Sequence, residues 1–467
     1  MSTKTLKLPD LCLYGASMAL SMRWISVAAA TGPASLPIWV LAIVVFSGPL
    51  IVATADLTTR FTGEGGVYNW TRETFGPFWG FLCGWLYWTC NLPFFSGLLY
   101  FMVNLLALAL GPAGKPILDQ PLLFAAIAIF ISILVGVFHL KGMGSGKWLS
   151  NIGGFSNLTL MSILILVGAV VFLSRGSATD FVHASYAPPL NANGAILWAT
   201  MVFGVGGSEA LAFLRNDVRG GMKTILMALV FVAAIQIFFY LSDTAAMLAI
   251  LTPEGATRLS GLPDALILGL KTLGLSGLAP FVLMAAFLGT LGSYSAWFGV
   301  AARLPFAAGI DDYLPKAFGR RDPKSGAPVV SIAVQMVIVI GLVVLSQVGE
   351  NLKAGYDFLV AMSVLSYTLP FLFLFMVYLG VHVRPAVEGG WKLPGGRTTA
   401  LVVGGIGMAA TVTAVACTLV PSPDAKDQVG EALKLVEASA VLILSGCLAY
   451  GLTILRRRRR RMSGGVA

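Results

Sequence analysis

Met201-Val202-Phe203-Gly204-Val205-Gly206-Gly207-Ser208-Glu209-Ala210 lies inside a long apolar run, yet it sets three glycines within four residues and then a carboxylate. Glycine weakens a helix by about 1 kcal/mol relative to alanine. A carboxylate at the centre of a bilayer costs at least about 2.5 kcal/mol on insertion scales. A segment built only to cross a membrane avoids both. A segment that opens at mid-membrane to hold something polar needs both. The plainer reading of the same residues is a glycine-lined helix contact with a glutamate near the surface.

The surrounding chain decides what kind of segment this is. Of its 467 residues, 57% are hydrophobic and only 11% charged, and the mean hydropathy is +0.84. Soluble domains carry roughly 25% charged residues, so the chain is read as a polytopic, all-α membrane protein. Apolar runs recur at 11–31, 36–59, 76–110, 121–140, 149–174, 192–214, 223–251, 276–306, 328–348, 354–383, 398–420 and 432–455. These predict about twelve spans, each at or above the roughly 20 residues a bilayer-crossing helix needs. The runs are continuous rather than alternating, which excludes a β-barrel. No cleavable leader is expected, because Arg23 breaks the first run. The five cysteines (Cys12, Cys83, Cys90, Cys417 and Cys447) fall in or beside spans and imply no disulfide framework. His139, His183 and His382 show no metal-ligand spacing, so neither metal nor cofactor is expected.

The net charge of +10 raises the question of nucleic acid, and its distribution answers it. With the N-terminus inside, 23 lysines and arginines fall on the cytoplasmic side and seven on the other. This bias predicts both termini in the cytoplasm, an even span count and a plasma (inner) membrane location. Arg456 to Arg461 then read as an anchor on anionic lipid, and no nucleic-acid partner is expected.

Span 1 mirrors span 6. It runs through Tyr14-Gly15-Ala16-Ser17-Met18-Ala19-Leu20-Ser21 and then carries Arg23. Arg23 stands too far from either end to snorkel with ease. It needs a partner: a carboxylate on another span, exposed carbonyls, or a substrate anion. Elsewhere, Gly63-Glu64-Gly65-Gly66 lacks the Gly-Lys-Ser/Thr ending and the preceding strand of a phosphate loop. Asn91 and Pro93 are expected to interrupt the aromatic-rich span 3 midway. Gly153, Gly154, Ser156 and Asn157 suit close packing of span 5. Asp243 sits toward the outer end of span 7, residues 252–275 read as a polar outer loop, and Pro370 is expected to kink span 10. Spans 9 to 12 are otherwise plain.

Four stretches, in order, carry a family resemblance. They are Glu64-Gly65-Gly66-Val67-Tyr68 with Phe75-Gly76-Pro77-Phe78-Trp79-Gly80-Phe81; then Phe203, Gly207 and Glu209, with Val205 where glycine is usual; then Asp217 and Arg219; and finally Gly292 and Trp297 through Arg303 to Asp312-Tyr313-Leu314-Pro315-Lys316 and Ala327-Pro328. The chain resembles an amino acid permease of the amino acid–polyamine–organocation superfamily over about residues 10–385. The resemblance implies a cytoplasmic segment 1–10 and a core 11–385 of two inverted five-helix repeats with helices 1 and 6 broken. It leaves two further helices (386–455) and a basic tail (456–467).

Carried over residue by residue, the resemblance implies a substrate site at Met18, Ala19, Leu20, Ser21, Arg23, Tyr87, Asn91, Phe203, Gly204, Gly206 and Trp297. Met18, Ala19 and Leu20 stand where relatives carry small residues. Glu209, Arg23, Asn157 and Ser293 form the candidate coupling or gating set. Some proton-coupled relatives carry a lysine in helix 5, where this chain has Ser156 and Asn157, and Ser293 or Ser295 hydroxyls leave sodium open. The expected function is secondary active, alternating-access transport of a neutral or acidic amino acid, with a proton as coupling ion or by exchange. A cation at the site disfavours a cationic substrate. The alternatives are a polyamine or cationic amino acid permease and a substrate sensor that does not transport. An enzyme is not expected, since no nucleophile–base pair or cofactor motif stands near the midplane. Membrane lipid is an expected partner, and a homodimer stays open.

Overall fold

Among the described residues, ten helical stretches are long and apolar enough to cross a membrane, and Val329–Leu345 and Tyr367–Val383 add two shorter apolar stretches. The computed structural model describes residues 5–61, 63, 65–256, 261–311, 313–346, 352–383, 393–420 and 428–463. Glu64, Arg258, Asp312, Arg384, Lys392, Lys426 and the boundary at 385–386 lie outside the described residues. Among those described there is no strand, only one isolated bridge between Leu6 and Val218.

Span 1 is two helices, α1 (Leu8–Ala19) and α2 (Met22–Ala29). Span 2 is α3 (Ser35–Ala42) and α4 (Gly48–Arg60), joined by a π turn. A connecting α5 (Val67–Phe75) leads to α6 (Pro77–Ala109), and a short α7 (Lys115–Asp119) leads to α8 (Pro121–Leu140) and α9 (Met143–Arg175). Span 6 is α10 (Ala192–Gly204) followed by a 3₁₀ segment, Ser208–Asp217. Then come α11 (Gly221–Ile250), α12 (Gly261–Thr272), α13 (Ala279–Ala301), α14 (Arg303–Ile310), α15 (Val329–Ser346), α16 (Leu352–Val383), α17 (Gly396–Thr418) and α18 (Gln428–Ser463).

The packing pairs carry the repeat. Helix α9 packs on α13 as α16 packs on α6. Helices α6 and α13 face each other, as do α8 and α15. The two halves of span 1 lie on α11, as the two parts of span 6 lie on α3 and α4. Exchanging the first five spans for the second five turns each contact into another, as two inverted repeats require.

Several expectations are corrected. Span 3 is not interrupted, because α6 is a continuous helix of 33 residues with Pro93 inside it. Side chains there serve the helix's own carbonyls: Asn91 Nδ2 donates to Tyr87 O (2.7 Å) and Thr89 Oγ1 to Trp85 O (2.8 Å). The carbonyl that Pro93 leaves without its N–H is that of Thr89, and packing of α6 against α13 and α16 carries the helix through it. The segment read as a polar outer loop contains α12, whose Leu262, Ala265, Leu266 and Leu270 are buried while Asp264 and Lys271 are not. Helix α18 continues from span 12 through the arginines to Ser463. Helix α16 runs from Leu352 to Val383 with Pro370 inside it.

The small residues of span 5 have a strict packing reason. A Cβ on Gly153 would lie 2.1 Å from Gly292 Cα, and one on Gly292 would lie 2.2 Å from Gly153 Cα. The backbones of α9 and α13 touch there, and backbone cannot give way. Gly153→Leu is expected to force these helices apart at a cost above the usual roughly 1–3 kcal/mol of overpacking. It should lower the melting temperature of the detergent-purified protein and broaden its size-exclusion peak. Gly405→Leu, where nothing lies within 4 Å, should do neither; equal behaviour of the two variants would refute the contact.

Candidate functional site

Span 1 breaks at Leu20 and Ser21, both extended (φ −112°, ψ 125° and φ −139°, ψ 116°). Met18 and Ala19, expected in the unwound part, are instead the last residues of α1. Their carbonyls still point out of the helix ladder and are taken by side chains. Trp297 Nε1 donates to Met18 O (3.1 Å), and Gln236 Nε2 donates to Ala19 O (3.2 Å). The Tyr240 hydroxyl lies 3.0 Å from Ala19 O and 2.8 Å from Gly204 O, and accepts from Ser21 N (3.2 Å). Gln236 also reaches Val205 O (3.0 Å). Two side chains of α11 therefore hold both breaks, replacing bonds that a buried backbone cannot leave unmade.

Span 6 opens at Val205 to Gly207. Gly207 has φ +100°, and a Cβ there would fall 2.7 Å from Met18 O, so a side chain is excluded by both conformation and space. Val205 has φ −90°. A negative φ does not require glycine, so a residue with a side chain can stand there.

Glu209 is the second residue of the 3₁₀ segment and is fully buried. Its Oε1 accepts from the hydroxyls of Tyr87 and Tyr367, each at 2.6 Å, and its Oε2 accepts from Gly207 N at 2.9 Å. One carboxylate thus ties α6, α16 and the span 6 break together. Such charge-assisted bonds offset the burial of the group. Arg23 is not among these donors, so the pairing of Arg23 with Glu209 is not the arrangement found. The Arg23 guanidinium carbon instead lies 4.2 Å from the centroid of Trp24 and 5.0 Å from that of Phe94, and the residue is buried. This is cation–π geometry.

A cavity of about 30 Å³ lies between the two breaks. Met18, Leu20, Ser21 and Asn91 line it from one side, and Phe203, Gly204, Gly206 and Trp297 from the other. Ser293, expected in the coupling set, also lines it and accepts from Asn157 Nδ2 (3.0 Å). Ala19, Tyr87 and Arg23 do not reach its wall; Tyr87 stands behind at Glu209, and Arg23 behind Trp24 and Phe94. Sequence reasoning missed Ser17, Trp24, Phe94, Leu98 and Tyr367, all on the wall. Trp24 was signalled only by its place beside Arg23. Tyr367 had no local signal, being an aromatic in an apolar run, and span 10 is not plain after all. Phe203 meets Trp24 edge-on at 5.0 Å and Tyr367 at 4.8 Å. About 30 Å³ is far below the roughly 300–1,000 Å³ of ordinary ligand pockets, so an amino acid enters only when these rings move.

On the face that holds the N-terminal segment, the elements are fastened. Thr5 N and Leu6 N donate to Asp217 O (2.9 and 3.0 Å), and Arg219 N donates to Leu6 O (2.8 Å). Arg303 binds the Asp217 carboxylate and Phe213 O. Arg72 and the Tyr68 hydroxyl both reach the Asp311 carboxylate. A second cavity of about 490 Å³ lies on this face, walled in part by Asp217, Arg303 and Asp322. Asp322 lies in the loop after α14, where the backbone N–H of Ser325 holds its carboxyl below the usual range.

The family described as Amino acid permease matches residues 8–443. An uncharacterized transporter of Legionella pneumophila is 25% identical over 425 residues, covering 90% of both chains. A protein of Lactococcus lactis named as a probable agmatine/putrescine antiporter is 24% identical over 426 residues, 90% of this chain and 88% of its own. The arginine/agmatine antiporter of Chlamydia caviae is 24% identical over 312 residues, 62% of this chain and 59% of its own.

Proposed function

Because this chain belongs to the amino acid permease family of the amino acid–polyamine–organocation superfamily, we propose that it is a secondary active transporter of a neutral or acidic amino acid. It works by alternating access, as a proton symporter or an exchanger. The membrane-transporter class itself rests on the family match and on the fold.

The observation that carries the substrate class is Arg23. Its guanidinium carbon is 4.2 and 5.0 Å from the centroids of Trp24 and Phe94, and both rings line the cavity wall. At low dielectric, like charges so close repel by several kcal/mol. An ammonium-only substrate is disfavoured, and a carboxylate is drawn in. The N-terminus of α2 adds to this, since a half-helix start presents N–H groups and a positive dipole end to an anion. Glu209 acts as the clasp of the gate, and Phe203, Trp24 and Tyr367 are the rings that part. The fastened face is the cytoplasmic one, where the basic loops lie.

A second reading, a polyamine or cationic amino acid permease, is favoured by the relatives named for agmatine and putrescine. Counterflow in proteoliposomes separates the two. Neutral or acidic amino acids are expected to compete with labelled substrate, and putrescine and agmatine are not. Competition by putrescine alone would reverse the assignment. Binding by thermal shift with no flux for any compound would make the protein a sensor.

A further inference from the structure

Asp243 is a second intramembrane carboxylate, and its surroundings differ from those of Glu209 in the respect that matters. It is fully buried in α11, and neither oxygen has a hydrogen-bond donor among the described residues. Its neighbour Thr244 is engaged by Trp39 Nε1 (3.1 Å). The face of α11 that carries it reads Gln236, Tyr240, Asp243, Met247. The first two hold the breaks of spans 1 and 6. A Cβ on Gly261 would lie 2.8 Å from Met247 Cε and 3.3 Å from Ser26 Cβ, which places Ser26 of α2 beside the same stripe. The Ser26 hydroxyl is also buried, with no hydrogen-bond partner among the described residues. Asp243 therefore sits between the clasp of the breaks and the seam with α2, the half-helix whose Trp24 walls the cavity.

The charged groups on elements packed against α11 are occupied elsewhere or stand at helix ends. On α2, Arg23 is stacked on Trp24 and Phe94. On the 3₁₀ segment, Glu209 is held by Tyr87 and Tyr367, Arg215 by Thr58 O, and Asp217 by Arg303. At the N-terminal face, Asp10 of α1 pairs with Lys147 of α9 (3.6 Å), and Asp56 pairs with Arg60 on α4 (2.9 Å). Toward the opposite face stand Arg175 at the end of α9, and Asp264 and Lys271 on α12, all outside the buried seam. Helix α3 has none. An anionic Asp243 would be a buried charge with no compensating partner among the described residues, and a bound proton removes that charge.

We propose that Asp243 is the proton-binding residue that couples transport to pH, at a site separate from the substrate cavity and from Glu209. A proton from water forms the O–H bond while the carboxyl is accessible. With α2 packed on α11 the group is held as the neutral acid. When α2 swings away and water reaches the carboxyl, the O–H bond breaks and the proton returns to water. No other bond changes. This rests on the transporter reading given above.

The test uses full-length protein in liposomes. Asp243→Asn, which mimics the neutral acid, is expected to keep substrate counterflow, to lose accumulation driven by a pH gradient, and to show a flat rate against pH. Asp243→Glu is expected to restore both. Gradient-driven accumulation that survives in Asp243→Asn overturns the proposal. So does a profile that Glu209→Gln flattens and Asp243→Asn does not, which returns coupling to Glu209. Should Asp243→Asn fail to fold, wild-type protein is treated with dicyclohexylcarbodiimide, which attacks protonated carboxyls in apolar surroundings. Modification of the Asp243 peptide that falls as pH rises supports the proposal, and its absence at every pH overturns it. A wild type that transports nothing in the panel defeats the transporter reading alone, since the carbodiimide result still decides whether Asp243 holds a proton.

Discussion

Replacing Glu209 by glutamine is expected to lower the rate of substrate uptake about a hundredfold. Hydrogen bonds to a charged group are worth about 1.5–3 kcal/mol each, and this carboxylate accepts three. Glutamine keeps an oxygen for the tyrosines but without the charge. It also turns an N–H₂ toward Gly207 N, donor against donor. A loss near 3 kcal/mol corresponds to about two factors of ten. Tyr87→Phe and Tyr367→Phe each remove one donor and should cost about tenfold. Because the two hydroxyls share Oε1, the double variant should fall short of the product of the singles. Initial rates in proteoliposomes, normalised to reconstituted protein, provide the measurement. A Glu209→Gln rate within about twofold of wild type, well under the 1.4 kcal/mol that a factor of ten represents, would show that the clasp is incidental to transport.

Arg23→Leu is the second large effect. It removes the cation behind the cavity wall while leaving an apolar side chain against Trp24 and Phe94. Uptake of an acidic amino acid is expected to fall about a hundredfold, the scale of removing a charge-assisted interaction at low dielectric. Neutral amino acids should lose less, and putrescine should begin to compete. Arg23→Lys is not expected to rescue, because a compact ammonium does not replace a flat guanidinium lying over two rings. An unchanged substrate ranking in Arg23→Leu would place Arg23 in the packing of α2 alone. The same outcome would favour the cationic-substrate reading that the agmatine and putrescine relatives suggest.

Much of the fold was legible, because its signals are local. Apolar runs of bilayer length, the glycines and acid of span 6, and the small residues and arginine of span 1 need no knowledge of neighbours. The helix count and the odd residues of spans 1 and 6 follow from them, while the breaks themselves and the site residues come from the family resemblance. The site's partners were not legible. Tyr367 stands 158 residues from the carboxylate it binds and Tyr87 stands 122 away, and neither spacing leaves a mark on the local pattern. The interruption expected at Pro93 failed for the same reason, because α6 is held as one helix by packing against α13 and α16, elements far away in the chain.

The order of residues alone sets where polar groups enter the membrane, since the cost of putting glycine, glutamate or arginine in an apolar span is a property of each residue and its depth. What those groups do is set by packing, because a buried charge is defined by whatever surrounds it. Two carboxylates that look alike in sequence are distinguished in this way: Glu209 is tied by two tyrosines and a backbone N–H, and Asp243 has no hydrogen-bond donor among the described residues. Arg23, which by sequence could have paired with Glu209, lies instead over two aromatic rings. Hydrogen bonds and cation–π contacts depend on angstroms and angles between helices far apart in the chain, and those distances exist only once the two repeats have packed.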